Sequence, residues 1–582
     1  MITPIIREYF KGLKEQNELD VVIPDLLTSM GLEVVRRPVS GNRQYGADVI
    51  AVGKDADGER KLFVFSIKRG DLTRQEWAGA DQALRQSLDE IKDVILNNRA
   101  PEHQGLKVVI CITLGGIVPE AMEPLVNGYM RSNRTDALDY QVWTGDTLTR
   151  KILDGALREE LFSGELRSLL RKAAATADDP ERSIAHFERL VAKVAQGEAD
   201  PVAKVRILYL TLWILFVWGR DAGNLEAPYR ASEIVTLRAW DLLYRQIEGD
   251  RGRRLDASYS FHQLVSLHLQ IWDELYGKKV LPHAGKLHVL SFAVGSVDGL
   301  DINLSLFETA GRVAMGGLWQ LWMEPGEGAA PQTSDLPNWP ARRIAEALGR
   351  MPFANPTLLT PFADHHSTDL ALALLLLCSV RDTRDAARRW VREAAQRIML
   401  AYRHHGRYPA DDGSYGFLLR HPESATDEYR QAAMAASVTM PLLATVAYIL
   451  DDGDTIAAIG EFQQAEASEC SFQAWVPNSR TEDKIWQGDS WQGSSITGLK
   501  VGTDGSELIS ALRAEAQANP DYPALSAIRL EHWPVLLLAC RRLRLPVPPQ
   551  LWIKLMDEMR PSEPAKENVE ATGDFSGDGK TT

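Results

Sequence analysis

Apolar and polar positions alternate differently in the two parts of the chain. Residues 21–30 carry a helical spacing that ends at Gly31, and Pro24 requires that helix to begin late or to kink. Residues 32–36 read as a short strand. The apolar runs 47–52 and 61–67 flank a polar turn containing Asp57-Gly58, the pattern of a β-hairpin. Residues 76–96 predict a helix with Leu84, Leu88, Ile91 and Ile95 on one face. Residues 107–113 predict a central strand, 119–130 a helix, and 140–143 a last strand before a helix from Thr147. Such alternation describes an α/β domain, a mixed sheet flanked by helices on both faces.

Beyond residue 180 the spacing is overwhelmingly helical, over 203–218, 232–246, 261–275, 368–404, 428–450 and 525–544, with Pro/Gly-rich breaks at 324–340 and 407–415. No fixed period of 30–45 residues recurs, so a regular solenoid is not supported. Between the two parts, residues 173–180 read as a helix tail, a short linker and a new helix start. Asp178 or Asp179 suits its cap and Pro180 its first position. The division expected is an α/β domain over 1–170, a linker over 171–182, a large mostly α-helical domain over 183–560, and a polar, disordered tail over 561–582.

Composition narrows the class. A chain of 582 residues is too long for one typical domain, and 45% hydrophobic with 25% charged residues excludes wholesale disorder and fibrous repeats. The net charge of −14 argues against a protein that coats nucleic acid through bulk charge, while leaving room for a local basic groove. Cys111, Cys378, Cys470 and Cys540 are too scattered for a zinc knuckle or a disulfide framework, so a reduced, cytoplasmic setting is expected. The first 12 residues lack the apolar run of a secretory signal. The apolar stretches 207–218 and 370–380 are shorter than the ~20 residues of a membrane span. The stretch 432–450 is long enough but diluted by Ser437, Thr439, Pro441 and Thr445. All three are expected to be buried helices, with no membrane partner. Thirteen of the 15 tryptophans lie in the helical part, where they suit helix packing.

The segment that carries chemistry is Gly46-Ala-Asp48-Val-Ile-Ala followed by Phe63-Val-Phe-Ser66-Ile-Lys68. Asp48 opens one strand of the hairpin and Lys68 ends the other, so both belong at one sheet edge. Period-2 alternation puts Val64, Ser66 and Lys68 on one face and Phe63, Phe65 and Ile67 on the other. A lysine that finishes an apolar strand is costly to bury unless a carboxylate or ligand meets it. Phosphodiester cleavage needs these parts: carboxylate oxygens for a divalent cation, and a cation near the attacking water or the phosphate.

On these residues the chain resembles the PD-(D/E)XK nuclease superfamily and, within it, the Mrr-like restriction endonuclease domains. The resemblance covers roughly residues 15–165. It includes the helix end Leu26-Leu27…Gly31, Gly46-Ala-Asp48, Ser66-Ile-Lys68, Ile112-Thr113…Pro119-Glu-Ala121 and the closing Trp143-Thr-Gly-Asp-Thr-Leu148. Several weak motifs in order are more specific than any one of them. The resemblance implies that Asp48 binds metal, that Lys68 is catalytic, and that the Ile67 carbonyl faces the metal. Asp20 falls where Mrr-like domains carry an acidic residue on their first helix. The implied cofactor is Mg²⁺, with Mn²⁺ as the alternative, and the implied substrate is DNA.

One departure stands out. The family pattern has Glu, Asp or Gln two residues before the lysine, and here that position is Ser66, a poor Mg²⁺ ligand. Some restriction enzymes of the superfamily share this serine and take the carboxylate from the following helix. The candidates here are Glu76 and Asp81, with Gln82 and Gln86 as neutral neighbours. The expected function is a Mg²⁺-dependent DNA endonuclease, the effector of a prokaryotic restriction or anti-phage system, with the helical domain as sensor or assembly module. A homo-oligomer, and a separate ATPase or sensor subunit, are the partners this architecture implies by analogy. The alternative is a catalytically inactive nuclease-like fold that holds nucleic acid or protein, keeping Lys68 as a phosphate or ion-pair partner.

Other motifs rank lower. Asp364-His-His-Ser-Thr-Asp369 has metal-ligand residue types but sits before a helix that Ser367 or Thr368 can cap. His404-His405 suits a solvated helix C-terminus. Trp486-Gln-Gly488 and Trp491-Gln-Gly493 could stack a base, although packing is the commoner use of such tryptophans. No Gly-rich loop with Lys-Ser/Thr occurs, which leaves no basis for an ATPase in the chain itself.

Overall fold

The computed structural model describes residues 19–37, 45–55, 57–79, 83–154, 164–324, 339–421, 426–490 and 492–559, together with Arg7, Phe10, Lys11 and Leu13. Asp81, Gln82, Trp491 and the tail 561–582 lie outside these residues.

Helix α1 (Asp20–Ser29) runs through Pro24 and closes at Gly31, where φ is +82°. The Leu32 amide donates to the Leu27 carbonyl at 3.0 Å and the Gly31 amide to Thr28 at 3.0 Å, a closure that favours glycine at the left-handed position. Strand β1 (Glu33–Arg36) follows, then the hairpin of β2 (Val49–Lys54) and β3 (Arg60–Lys68), turned at Asp57-Gly58. Next come α2 (Arg74–Ala78), α3 (Leu84–Glu90), β4 (Val108–Leu114), α4 (Glu123–Asn133), β5 (Leu138–Trp143) and α5 (Gly145–Asp154). The five strands form one sheet in the order β1-β2-β3-β4-β5. The first two pairings are antiparallel and the last two parallel, so the sheet is mixed as the alternation implied.

Alternation along β3 divides the core. Phe63, Phe65 and Ile67 join Val49, Ala51, Cys111 and Trp143 against Leu26 and Leu27 of α1 and Leu148 of α5. Leu62 and Val64 join Val52, Ile110 and Ile112 on the other face, covered by Trp77, Leu84, Leu88, Met122 and Val126. Helices therefore lie on both faces. The expected helix over 76–96 is broken: α2 ends at Gly79, and α3 passes into a π-helical turn at Ile91–Ile95.

The remainder of the fold is helical. In order come α6 (Gly164–Ala175), α7 (Pro180–Gln196), α8 (Pro201–Asp221), α9 (Glu226–Ile247), α10 (Arg251–Trp272), α11 (Val289–Ala293), α12 (Gly299–Met323), α13 (Ala341–Ala354), α14 (His366–Ser379) and α15 (Arg384–Arg403), followed by shorter helices to Met559. Asp179 caps α7 by accepting from the Arg182 amide, with Pro180 in first place as expected. Between α6 and α7 the Ser183 hydroxyl donates to the Ala173 carbonyl at 2.8 Å, so 171–182 holds a tight helical turn.

Several helix expectations are corrected. The run 368–404 is two helices, parted at Val380 where Thr383 donates back to the Leu377 carbonyl. The run 428–450 holds helices Asp427–Ala433 and Thr439–Ile449, with a two-residue strand at Ala436–Ser437 between them. Helix α8 extends the 207–218 stretch to 21 residues, long and apolar enough to cross a membrane, yet 67% of its most apolar window is buried inside the protein. Trp213, Trp240, Trp272, Trp319, Trp390 and Trp486 are fully buried, so these six help to fill the core.

Candidate active site

Strands β3, β4 and β5 are parallel and end at one edge, and antiparallel β2 begins there. Asp48, immediately before β2, and Lys68, the last residue of β3, meet at that edge. The Asp48 amide donates to the Phe65 carbonyl at 2.9 Å, and its Oδ2 accepts from the Ile67 amide at 2.7 Å. The carboxylate is thus fixed against the β3 backbone, one residue from both Ser66 and Lys68. Ser66 is 1% exposed and Lys68 is half-buried.

Gly46 explains how the preceding turn reaches this position. Tyr45 and Gly46 both have positive φ, +52° and +77°. A Cβ on Gly46 would collide with the Ser87 carbonyl of α3, so only glycine lets that helix lie directly over the approach to Asp48.

Backbone packs closely along the rest of the edge. The Gly115 amide donates to the Lys68 carbonyl at 3.1 Å, Gly116 to Gly70 at 2.8 Å, and Gly145 to Gly116 at 2.7 Å. Leu19 sits against Gly115, which brings the start of α1, and with it half-buried Asp20, to this edge. Sequence reading missed a second carboxylate here. Asp71 accepts from the Ile117 amide at 3.0 Å and pairs with Lys11 at 3.3 Å. It lies on the β4 side of β3, across that strand from Asp48, and its visible work is to join the β3 and β4 extensions. Only its spacing of three residues after Lys68 could have flagged it.

Glu76 is engaged locally. Its Oε2 accepts from the Thr73 amide (3.0 Å) and hydroxyl (2.9 Å), while Thr73 Oγ1 accepts from the Glu76 amide at 3.2 Å. This is a capping box for α2. Gln86 is exposed, with Glu90 at 3.5 Å. Among the described residues no group of three or more His, Cys, Asp or Glu side chains is arranged to hold a metal ion. The Asp48 carboxylate and the Ser66 hydroxyl, which this end of the hairpin contributes, are hard oxygen donors.

The lower-ranked motifs are structural. Asp364 is buried and accepts from the Ser437 hydroxyl (3.0 Å) and the amides of Val438 (2.8 Å) and Thr439 (3.0 Å); burial nevertheless raises its carboxyl pKa. Asp369 pairs with Arg544, and His366 stacks on Phe307 at 4.4 Å. Ser367 and Thr368 lie inside α14 rather than capping it, and Thr368 donates to the Leu545 carbonyl at 3.0 Å. His404 ends α15 as expected. Trp486 is core, its Nε1 donating to Glu482 at 2.9 Å.

No protein-family model, curated protein or solved structure matches the chain. The functional reading therefore rests on the sheet edge itself.

Proposed function

We propose that the chain is a Mg²⁺-dependent DNA endonuclease of PD-(D/E)XK type, acting in the cytoplasm as the effector of a prokaryotic restriction or anti-phage system. The observation that carries this reading is that Asp48, oriented by the Ile67 amide, and Lys68 share the edge where three parallel strands end. Ligands of open α/β sheets bind at such carboxyl ends.

Hard oxygen donors fit Mg²⁺, which proteins bind through one or two carboxylates while water and substrate phosphates complete its shell. Asp48 and the Ile67 carbonyl would hold the ion, and Mn²⁺ suits the same donors. When bound, the metal supplies charge stabilisation at the phosphate and an acidified water. Asp48 holds its orientation through the Ile67 amide. Lys68 presents a cation from the same edge and stabilises negative charge that develops on the phosphate. Exposed Arg69 and Arg74 flank it and suit phosphate contacts to the DNA backbone. Of the two carboxylates considered as substitutes at position 66, Glu76 already caps α2, which leaves Asp81 as the better candidate.

The competing reading, an inactive nuclease-like scaffold, is favoured by buried Ser66 in the ligand position. Asp48→Ala and Lys68→Ala separate the two. Each is expected to cut Mg²⁺-dependent cleavage of plasmid DNA by on the order of 10²–10³-fold with the fold intact. Unchanged cleavage in both purified variants, or no calorimetric Mg²⁺ binding by the wild-type chain with DNA present, would overturn the nuclease reading. A homo-oligomer, which would bring one site to each DNA strand, and a separate ATPase or sensor subunit complete the proposal.

A further inference from the structure

A cavity of about 390 Å³ lies where the α/β part meets the helical part. Leu26 of α1 and Ile152 of α5 line one side, and Val205 and Leu210 of α8 with Leu255 of α10 line the other. Leu255, 63% exposed, marks the open side, and the other four are buried. Small-molecule sites have volumes of this order, favour such junctions and have mostly apolar walls.

The aromatic part of the wall is held in place by the fold. Tyr209 and Tyr259 both line the cavity. Arg37, which follows β1, lies over the Tyr259 ring at 4.8 Å. Gln263 donates its side-chain amide to the Tyr259 hydroxyl at 3.0 Å. Tyr209 is buried and meets Trp213 edge-on, with ring centroids 6.3 Å apart. Rings fixed in this way need little ordering when a ligand arrives, which removes a cost of binding.

Packing accounts for these side chains, but not for Arg206. It is the single charged residue in the apolar run 205–219 of α8. It is half-buried and lines the cavity, and its guanidinium meets no carboxylate, carbonyl or aromatic ring among the described residues. A guanidinium partly withdrawn from water without a counter-ion is costly, and an anion in the cavity would supply one. Arg37 adds a second positive charge to the lining, although it is already engaged with the Tyr259 ring. Against these two stands one described carboxylate, that of exposed Asp256. The described lining is therefore apolar with a net positive charge, which favours an anionic occupant over a cationic one.

We propose that this cavity binds a small organic anion, with its apolar body against Leu26, Leu210 and Leu255 and its carboxylate or phosphate paired with Arg206. Contact with α1 and α5 on one side and α8 and α10 on the other makes the occupant a brace between the two parts of the chain. The inference stands on the cavity and Arg206 and not on the nuclease reading.

Calorimetry and fluorescence with anilinonaphthalene sulfonate test it on the full chain. Phenylnaphthylamine, which has the same rings without the anion, is the neutral probe beside it. The wild-type protein is expected to bind one sulfonate per chain and to melt at a higher temperature in its presence, because the probe binds the folded state. Arg206→Gln should weaken the sulfonate on the order of 10-fold, the worth of a charge-assisted hydrogen bond, and leave the neutral probe unchanged. Without a probe this variant should melt no lower than the wild type, since it loses no contact within the chain. Asp256→Asn should tighten the sulfonate at low salt, where the like charge acts most strongly. Leu255→Glu, at an exposed position, should weaken both probes without changing helical circular dichroism. No saturable binding by the wild type, or sulfonate affinity indifferent to Arg206→Gln and Leu255→Glu, would overturn the proposal. Equal loss of both probes in Arg206→Gln, or a lowered melting temperature in that variant alone, would mark the arginine as structural and overturn it as well.

Discussion

At the scale of single residues, the edge depends on two positions that leave no room for change. Gly46 combines a φ of +77° with the Ser87 carbonyl where a Cβ would stand. Gly46→Ala is expected to cost about 2–4 kcal/mol, the sum of left-handed strain and overpacking, read from the urea midpoint. Ser66 is the other. At 1% exposure it has no water to solvate an ionised replacement, so Ser66→Glu should lower the melting temperature in EDTA. If Asp48 and position 66 face a common cation, Mg²⁺ should restore much of that loss by binding the folded state alone. A melting temperature indifferent to Mg²⁺ would separate position 66 from the metal. Asp48, Ser66 and Lys68 were legible in the sequence because strand alternation fixes faces without knowledge of the rest of the fold. Asp71 was not legible, because its place depends on how the chain leaves β3 and runs beside Gly116 and Ile117.

Individual elements were legible where a local signal agreed with the packing. The Asp57-Gly58 hairpin is such a case, with Gly58 at φ +81° and its amide donating to Asp55 at 2.9 Å. β4 is another, buried at every position between two parallel neighbours. Helix 76–96 failed because apolar spacing outweighed the stop at Gly79 and the Thr73-x-x-Glu76 start signal. The 25-residue helix α12 was missed altogether. Its interior holds Gly311, Gly316 and Gly317, poor helix formers, and it is buried on most sides, so no amphipathic period marks it. Trp272 occupies the space a Cβ on Gly316 would need, and its indole donates to the Arg312 carbonyl at 2.9 Å; tertiary packing supplies what propensity lacks. For α2 the capping box makes a direct prediction. Thr73→Ala and Glu76→Gln should each cost about 1 kcal/mol or less at this exposed helix start, and Glu76→Gln should leave Mg²⁺ affinity unchanged. A clear loss of Mg²⁺ affinity in Glu76→Gln would return Glu76 to the metal site.

Across the whole molecule, one apolar cluster runs from the α1 face of the sheet through the helical part, from Phe10 to Met556. Ion pairs tie remote segments within it: Glu233 of α9 meets Arg541, both almost fully buried, and Asp369 of α14 meets Arg544. Glu233→Ala would leave Arg541 buried and unpaired, an expected loss of about 3–5 kcal/mol. Neither pair was legible in the sequence, since more than 170 residues separate the partners. The same interior makes stability sensitive to acid. Burial holds His268, His365 and His532 down to about 4, well below the ordinary imidazole value. In the unfolded chain these groups take up protons near pH 6.5, so between about pH 4 and 6.5 the unfolded state binds more protons than the folded one. Their contribution to stability is therefore complete above about pH 6.5 and is lost as pH falls toward 4. At pH 5 the loss is on the order of 1–2 kcal/mol per histidine. The buried carboxyls of Asp364 and Asp369, raised by burial, act in the opposite sense, so a single-site control is needed. His532 provides it, packed among Trp240, Phe261 and Trp322, where phenylalanine can replace the ring. The urea midpoint of the wild-type chain should fall between pH 7 and 5, and His532→Phe should show a smaller fall. Equal falls in both proteins would remove His532 as a source of the acid sensitivity.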